Sequence, residues 1–299
     1  MEATARQRPA GLFVGLCTLD VIQLVEHMPG PDEKLTSRDQ SVAAGGPATN
    51  AAAAFSHLGG TARLLTAIGG HPLSLAVTAD LRDLGVAVSD LATDSVEPPA
   101  VSSVLVTAST GERAVASANA TRHRLSPPGD LDTLVAACDI VEIDGHHRDL
   151  ALAAAGTARA LGRPTLLDGG SWKDGTEDLL RLVDVAVCSA DFHPPGTSTP
   201  AQTLRFLREH GVSWAAVSAG AEPIEWAGPD GLAGRVEVPA VRVADTLGAG
   251  DVLHGALAHH LAATGELTSE SFAEGLRRAA KVASRACASF GTRAWMRGR

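Results

Sequence analysis

Short apolar runs alternate along the chain with longer Ala/Leu-rich stretches whose apolar positions recur at helical spacing. LFVGLCTL (12–19), ARLLTAIG (62–69), DIVEIDG (139–145), PTLLDGG (164–170), VDVAVCS (183–189) and VSWAAVSAG (212–220) read as strands. PATNAAAAFSHLG (47–59), PLSLAVTADLRDLG (72–85), DLALAAAGTARALG (149–162), DGTEDLLRLV (174–183) and PAQTLRFLREHG (200–211) read as helices, the first two closed by Gly59 and Gly85. From Asp251 to about Ser289 the pattern predicts two long helices. Such alternation predicts an α/β fold with a doubly wound, mostly parallel sheet covered on both faces.

Two regions break the rhythm. Residues 21–46 are too polar and too rich in Pro and Gly for a buried element, whereas AVSSVLVTASTGERAVASA (100–118) alternates around a turn and reads as a β-hairpin. Together they predict a small β-sheet lid, drawn from about 20–45 and 97–119, hanging off one main domain over 11–299. Residues 1–10 read as a loose tail, without the apolar core of a signal peptide.

A chain of 299 residues, 45% hydrophobic, can bury a full core. A net charge of −9 with no Lys/Arg run argues against nucleic acid as a partner. No apolar stretch reaches the ~20 residues of a membrane span. Four cysteines without a C-x-x-C pair, three of them in or beside apolar runs, suit buried thiols in a reducing, cytoplasmic compartment.

The chemistry concentrates at DTLGAGD (245–251), just ahead of a helical pattern. Glycines there let the backbone turn tightly, and the free N–H groups and macrodipole of a helix start attract an anion. Asp251 then has two readings: an ordinary helix cap, or a general base kept ionised beside an anion hole, which suits phosphoryl transfer. Neither a Walker A loop nor G-x-G-x-x-G is present, since Leu253 occupies the third glycine position of the latter. A second constellation is AGGPATNAAAA: Gly45 and Gly46 permit close backbone approach, Pro47 suits a first helical turn, and Asn50 offers an amide to sugar hydroxyls. Asp20 adds a carboxylate at a strand's C-terminal end, where open α/β sheets bind ligands.

The segments AGGPATNAAAAFSHLGG and DTLGAGDVLHGALA, about 200 residues apart, resemble the two signatures of the ribokinase-like (PfkB) carbohydrate kinases, and the likeness spans nearly the whole chain. Within that family, GLCTLDVIQLVEHMP, EIDG and DTLGAGD look most like ketohexokinase, and GGPAT, LLDGG and GDVLHGALA like the bacterial sulfofructose kinases. The resemblance implies an ATP-dependent sugar kinase using Mg²⁺. It implies Asp251 as base, and an anion hole from Gly248, Ala249 and Gly250. Sugar contacts fall on Asp20, Asp32, Gly45, Gly46 and Asn50, with Lys34 near an anionic sugar tail. Ser218 and Gly220 match the nucleotide-phosphate loop, and Ala283, Cys287 and Gly291 the adenine side. Asp245 and Thr246 open the loop that in many members lies beside a monovalent cation. Many relatives pair their lids across a homodimer.

Departures accompany the match. The family's N-x-x-E is here SADF, with Ser189 for Asn and Phe192 for Glu, so the metal ligands are unassigned; Asp191 could act through water. Pro47 stands where ketohexokinase has a sugar-binding Asn, and Pro223 replaces the second glycine of the nucleotide loop. His146, His147, Arg148 and Asp149 read as pocket rim rather than a metal cluster, His254, His259 and His260 as surface or packing residues, and Arg113 as a hairpin-turn residue. A nucleoside kinase of the same fold and a non-catalytic sugar-binding regulatory protein are the alternative functions.

Overall fold

Leu12, Phe13 and Val14 show why the strands read as unbroken apolar runs. Leu12 and Val14 join the core on one side of a sheet, with Leu65, Val141, Ile143, Leu167, Leu150 and Leu204. Phe13 joins the core on the other side, with Leu64, Ile140, Leu166, Val187, Leu257 and Leu276. Period-2 alternation thus delivers apolar side chains to two buried faces.

The computed structural model describes residues 8–119 and 124–297, so positions 1–7 of the expected tail lie outside the described residues. The main sheet contains β1 (Ala10–Val14), β4 (Thr61–Thr66), β5 (Ala87–Asp90), β8 (Ile140–Ile143), β9 (Thr165–Gly169), β10 (Val185–Ser189), β11 (Trp214–Ala219), β12 (Glu222–Ala227) and β13 (Ala233–Val236). Their order is β13-β12-β11-β10-β9-β8-β1-β4-β5. All neighbours from β5 to β11 are parallel; β12 and β13 add an antiparallel edge. The helices are α1 (Pro47–His57), α2 (Ser74–Asp83), α3 (Leu131–Ala136), α4 (Arg148–Ala160), α5 (Thr176–Leu180), α6 (Pro200–Glu209), α7 (Ala249–Thr264) and α8 (Ser269–Cys287). Among the described residues no helix is long and apolar enough to cross a membrane. The expected doubly wound α/β architecture is present, and its strand order reverses at β1, between β4 and β8. The crevice beyond the C-terminal ends of such strands is where this architecture binds ligands.

A second sheet, ordered β3-β2-β6-β7, is built from β2 (Thr18–Val25), β3 (Asp39–Gly45), β6 (Ala100–Thr107) and β7 (Arg113–Ser117). Its inner side chains Ile22, Val104 and Val106 pack with Leu247 and Phe290, so it rests on the loops that precede α7 and follow α8.

Two details differ from the sequence reading and one agrees with it. LFVGLCTL is two strands in different sheets: the Gly15 amide still bonds Leu65 O, but the Leu16 amide turns to the Asp144 carboxylate and the chain leaves the main sheet. Residues 21–46, expected to contribute to the small sheet, supply most of β2 and all of β3, since such a sheet needs apolar residues on one face alone. The edge pair β12–β13 carried too short and polar a pattern to be anticipated.

Candidate active site

The site grows from the start of α7. Gly248 is its N-cap at φ 73, a left-handed conformation that glycine adopts without cost, and the first helical bond runs from the Val252 amide to Gly248 O at 2.9 Å. The amides of Ala249, Gly250 and Asp251 therefore have no partner one turn back. Of the three residues expected to form an anion hole, Ala249 has its amide turned to Thr246 O at 3.3 Å, whereas the Gly250 and Asp251 amides have no backbone partner among the described residues. Asp251 is the third helical residue and does not cap its helix with its side chain.

The Asp251 carboxylate accepts a 2.7 Å hydrogen bond from Asn50 Nδ2, on α1. Asn50 Oδ1 accepts in turn from Arg293 Nη1 at 2.9 Å. Expected as a sugar ligand, Asn50 has its carbonyl end and one amide hydrogen committed within the protein; one hydrogen is left for a ligand. Burial pushes the Asp251 carboxyl above its ordinary value, helped by Asp144 and opposed by the Asn50 bond, His254 and Arg113. That is the balance expected of a proton acceptor.

Asp20, on β2, lies across from Asp251. It accepts from Thr18 Oγ1 at 2.6 Å, and burial first, with the Asp251 charge among lesser causes, raises its carboxyl's value. A Cβ at Gly45 would overlap the Asp20 carboxylate, and one at Gly46, φ 95, would strike Leu16 O. The glycine pair is thus required by close approach of backbone and acid, and Pro47 opens α1 as expected.

Three carboxylates that composition did not single out interact electrostatically with Asp251. Asp144 accepts from the amides of Leu16 (2.8 Å), Ala48 (3.3 Å) and His146 (2.9 Å) and faces His146 Nδ1 at 3.3 Å. Burial opposes its ionisation, but His146 and these amides prevail and hold it well below the usual carboxylate range. Asp168, at the end of β9, lies 3.3 Å from His254 Nδ1, and burial pushes its carboxyl upward, with Asp251 and Asp144 adding to the effect. His254, expected at the surface or in packing, is 4% exposed, with Nδ1 2.7 Å from Gly250 O and Nε2 2.9 Å from Val187 O. Glu142 is fully buried in β8, and neither of its oxygens has a hydrogen-bond partner among the described residues. Burial, then the charges of Asp168, Asp144 and Asp251, push it well above the ordinary value. A carboxylate inside an apolar strand run, on the same parity as Asp144, was the signal in the sequence.

Arg113 is not a simple turn residue. It opens β7, and its Nη1 donates to Thr246 Oγ1 at 2.7 Å, bringing a guanidinium from the second sheet to the loop before α7. Asp245 staples that loop: Oδ1 accepts from the Leu247 amide (2.8 Å) and Oδ2 from the Gly291 amide (2.9 Å). The amides of Ala244 and Asp245 both donate to Cys287 O, so the C-terminal end of α8, with buried Ala283 and half-buried Cys287, adjoins the same loop. Ser218, next to last in β11, pairs with Ser189 of β10, and Gly220 follows the strand at φ 60.

Other expected residues stand apart. Asp32, at φ 60, and Lys34 are exposed on the loop between β2 and β3. Arg148 is paired to Asp178 at 2.7 Å. Phe192 is 2% exposed, edge-on to Trp172, and offers no ligand where the family's Glu would stand; Asp191 is exposed. Among the described residues no three His, Cys, Asp or Glu side chains gather to hold a metal ion. The residues present therefore do not fit a protein-bound Mg²⁺ at this element.

The model of the pfkB family of carbohydrate kinases matches residues 12–297. A ribokinase candidate from Agrobacterium tumefaciens is 26% identical over 97% of this chain and 94% of its own, with a TM-score of 0.81. Ribokinase from Giardia lamblia superposes with a TM-score of 0.84 at 16% identity over 96% of both chains. Fructokinase with bound ATP from Xylella fastidiosa gives 0.78 at 20% identity over 96% of this chain and 94% of its own. The last two, at such identities, show a shared fold.

Proposed function

The chain belongs to the pfkB family of carbohydrate kinases and is an ATP-dependent kinase of a small-molecule sugar; from that premise we propose that it phosphorylates a hydroxyl of a ketose-type sugar, with Asp251 as general base. The observation that carries the reading is the Asp251 carboxylate, held by Asn50 at the start of α7 beside the Gly250 amide. Asp251 takes the proton of the attacking hydroxyl. The Gly250 and Asp251 amides and the positive end of α7 receive charge on the transferring phosphoryl group. Asp20 and the Gly45–Gly46 backbone orient the sugar. Arg113 places positive charge beside Thr246, where its field acts on Asp245 and Asp251.

ATP lies along the loop at Ser218 and Gly220, with its base against Ala283, Cys287 and Gly291. Mg²⁺ would be carried by the ATP phosphates and would neutralise their charge, and the Asp245–Thr246 loop would hold a monovalent cation. The second sheet acts as a lid, closing through Asp32 and the Thr110–Gly111 turn. Its exposed edge strand β7 and its outer face, where Val42 is about half exposed, pair with a second copy of the chain. Support for a ketose is the likeness of the first strand and of both glycine motifs to ketose kinases.

The test is ADP release from ATP across ketoses, aldoses and nucleosides. The reading expects a ketose to give the highest kcat/KM. A nucleoside or an aldopentose giving the highest value would overturn the ketose assignment.

A further inference from the structure

Arg293, in the turn after α8, is 7% exposed and carries only donors. Its Nη1 donates to Asn50 Oδ1 at 2.9 Å and Thr292 O at 3.3 Å, its Nη2 to Ala44 O at 2.6 Å, and its Nε to Asp80 Oδ2 at 3.2 Å. The same Asp80 oxygen accepts from the Ala44 amide at 3.0 Å. One guanidinium thus joins the C-terminal turn, α1, α2 and the end of β3, next to the glycine pair.

The consequence for Asn50 follows from its chemistry. A guanidinium cannot accept, so the carbonyl end of the Asn50 amide must face it, and the NH₂ end then faces Asp251. A positive charge on the carbonyl also polarises the amide, which strengthens the donor at the far end. Without Arg293 the carbonyl would be buried and unsatisfied, and the side chain would turn to find another partner.

We propose that Arg293 is a positioning residue for phosphoryl transfer: acting through Asn50 it aims the Asp251 carboxylate, and through Ala44 it ties that aim to the strand leading into Gly45 and Gly46. The inference rests on the reading of Asp251 as the base. The other titratable and charged groups around Asp251 are Asp20 from β2, Arg113 from β7, Glu142 and Asp144 at β8, Asp168 from β9 and His254 from α7. All remain when Arg293 or Asn50 is changed; Arg293→Gln also removes a charge that acts on Asp20, so a shift shared with the charge-neutral Asn50→Ala and Arg293→Lys changes reports the Asn50 bond.

The experiment compares wild type, Asn50→Ala, Arg293→Gln and the double variant, each purified as the full chain. With ATP and the best sugar, kcat, sugar KM and the acid limb of kcat against pH are measured per folded molecule. A misplaced base costs up to about 10²-fold in kcat. Arg293→Gln should show a loss of that order, and its acid limb should move to higher pH because Asp251 loses the bond that lowers its pKa. The double variant should be no slower than Asn50→Ala, since both changes break one chain of bonds. A merely structural Arg293 would lower Tm and leave the acid limb in place; that result, or losses that multiply independently, would overturn the proposal. Arg293→Lys keeps the charge without the fork and decides by the same limb should Arg293→Gln fail to fold. Asp251→Asn is the control. If it retains wild-type kcat, the base reading fails. If it is inactive while the Arg293 variants behave as wild type, only this inference fails.

Discussion

Asn50 and Asp251 are 201 positions apart in sequence and joined by a 2.7 Å hydrogen bond. That contact brings the two glycine-marked segments, the Gly45–Gly46 turn and the Gly248–Gly250 loop, into one site, with a carboxylate at the mouth of a helix.

Arg113 reaches from β7 to Thr246 and is the cation that the second sheet contributes to the loop before α7. Arg113→Met should lower kcat by about 10²-fold, the usual scale for losing one charge-stabilising donor, with a smaller change in sugar KM. Steady-state kinetics at saturating ATP would show it. A change confined to sugar KM would place Arg113 on the sugar instead.

Glu142 gives a stability signature. Its folded-state value is raised well above the ordinary 4.5 by burial and by neighbouring carboxylates. For a raised acid the stabilising contribution is complete below the unfolded value and is lost as pH rises toward the folded one. The loss runs at about 1.4 kcal/mol per pH unit. Glu142→Gln removes the titration, so its Tm should gain on wild type as pH rises from about 5 to about 8. A Tm difference independent of pH would mean that Glu142 is ionised in the folded protein.

Lys34 tests the charge of the substrate. It is exposed on the β2–β3 loop, while Arg148, read from the sequence as pocket rim, is paired to Asp178. Lys34→Ala should leave kcat/KM for fructose nearly unchanged. A selective loss of roughly tenfold, about 1.4 kcal/mol, on 6-deoxy-6-sulfofructose is expected where Lys34 binds the tail. Equal effects on both sugars would make Lys34 an ordinary solvated charge.

The main sheet and its helices were legible because burial on two faces writes itself as apolar runs, and because helices of ten residues or more repeat their periodicity several times. The glycine motifs were legible because positive φ and close approach are local demands, as at Gly46 and Gly248. Residues defined by distant partners were not. Arg293 meets Asn50 across 243 positions and Arg113 meets Thr246 across 133. His254 lies on a helix whose periodicity does not distinguish a packing residue from one facing Asp168. Glu142 was visible as an acid in an apolar strand, but its lack of a partner is a property of the packed interior.

The central claim is that Asp251 takes the proton from the sugar, and Asp251→Asn tests it most directly. The amide is nearly isosteric, so the thermal shift produced by sugar with a non-hydrolysable ATP analogue should match that of wild type, while kcat for ATP-dependent sugar phosphorylation falls by roughly 10²–10⁴-fold. A purified variant that binds both ligands and turns over at the wild-type rate would contradict the account.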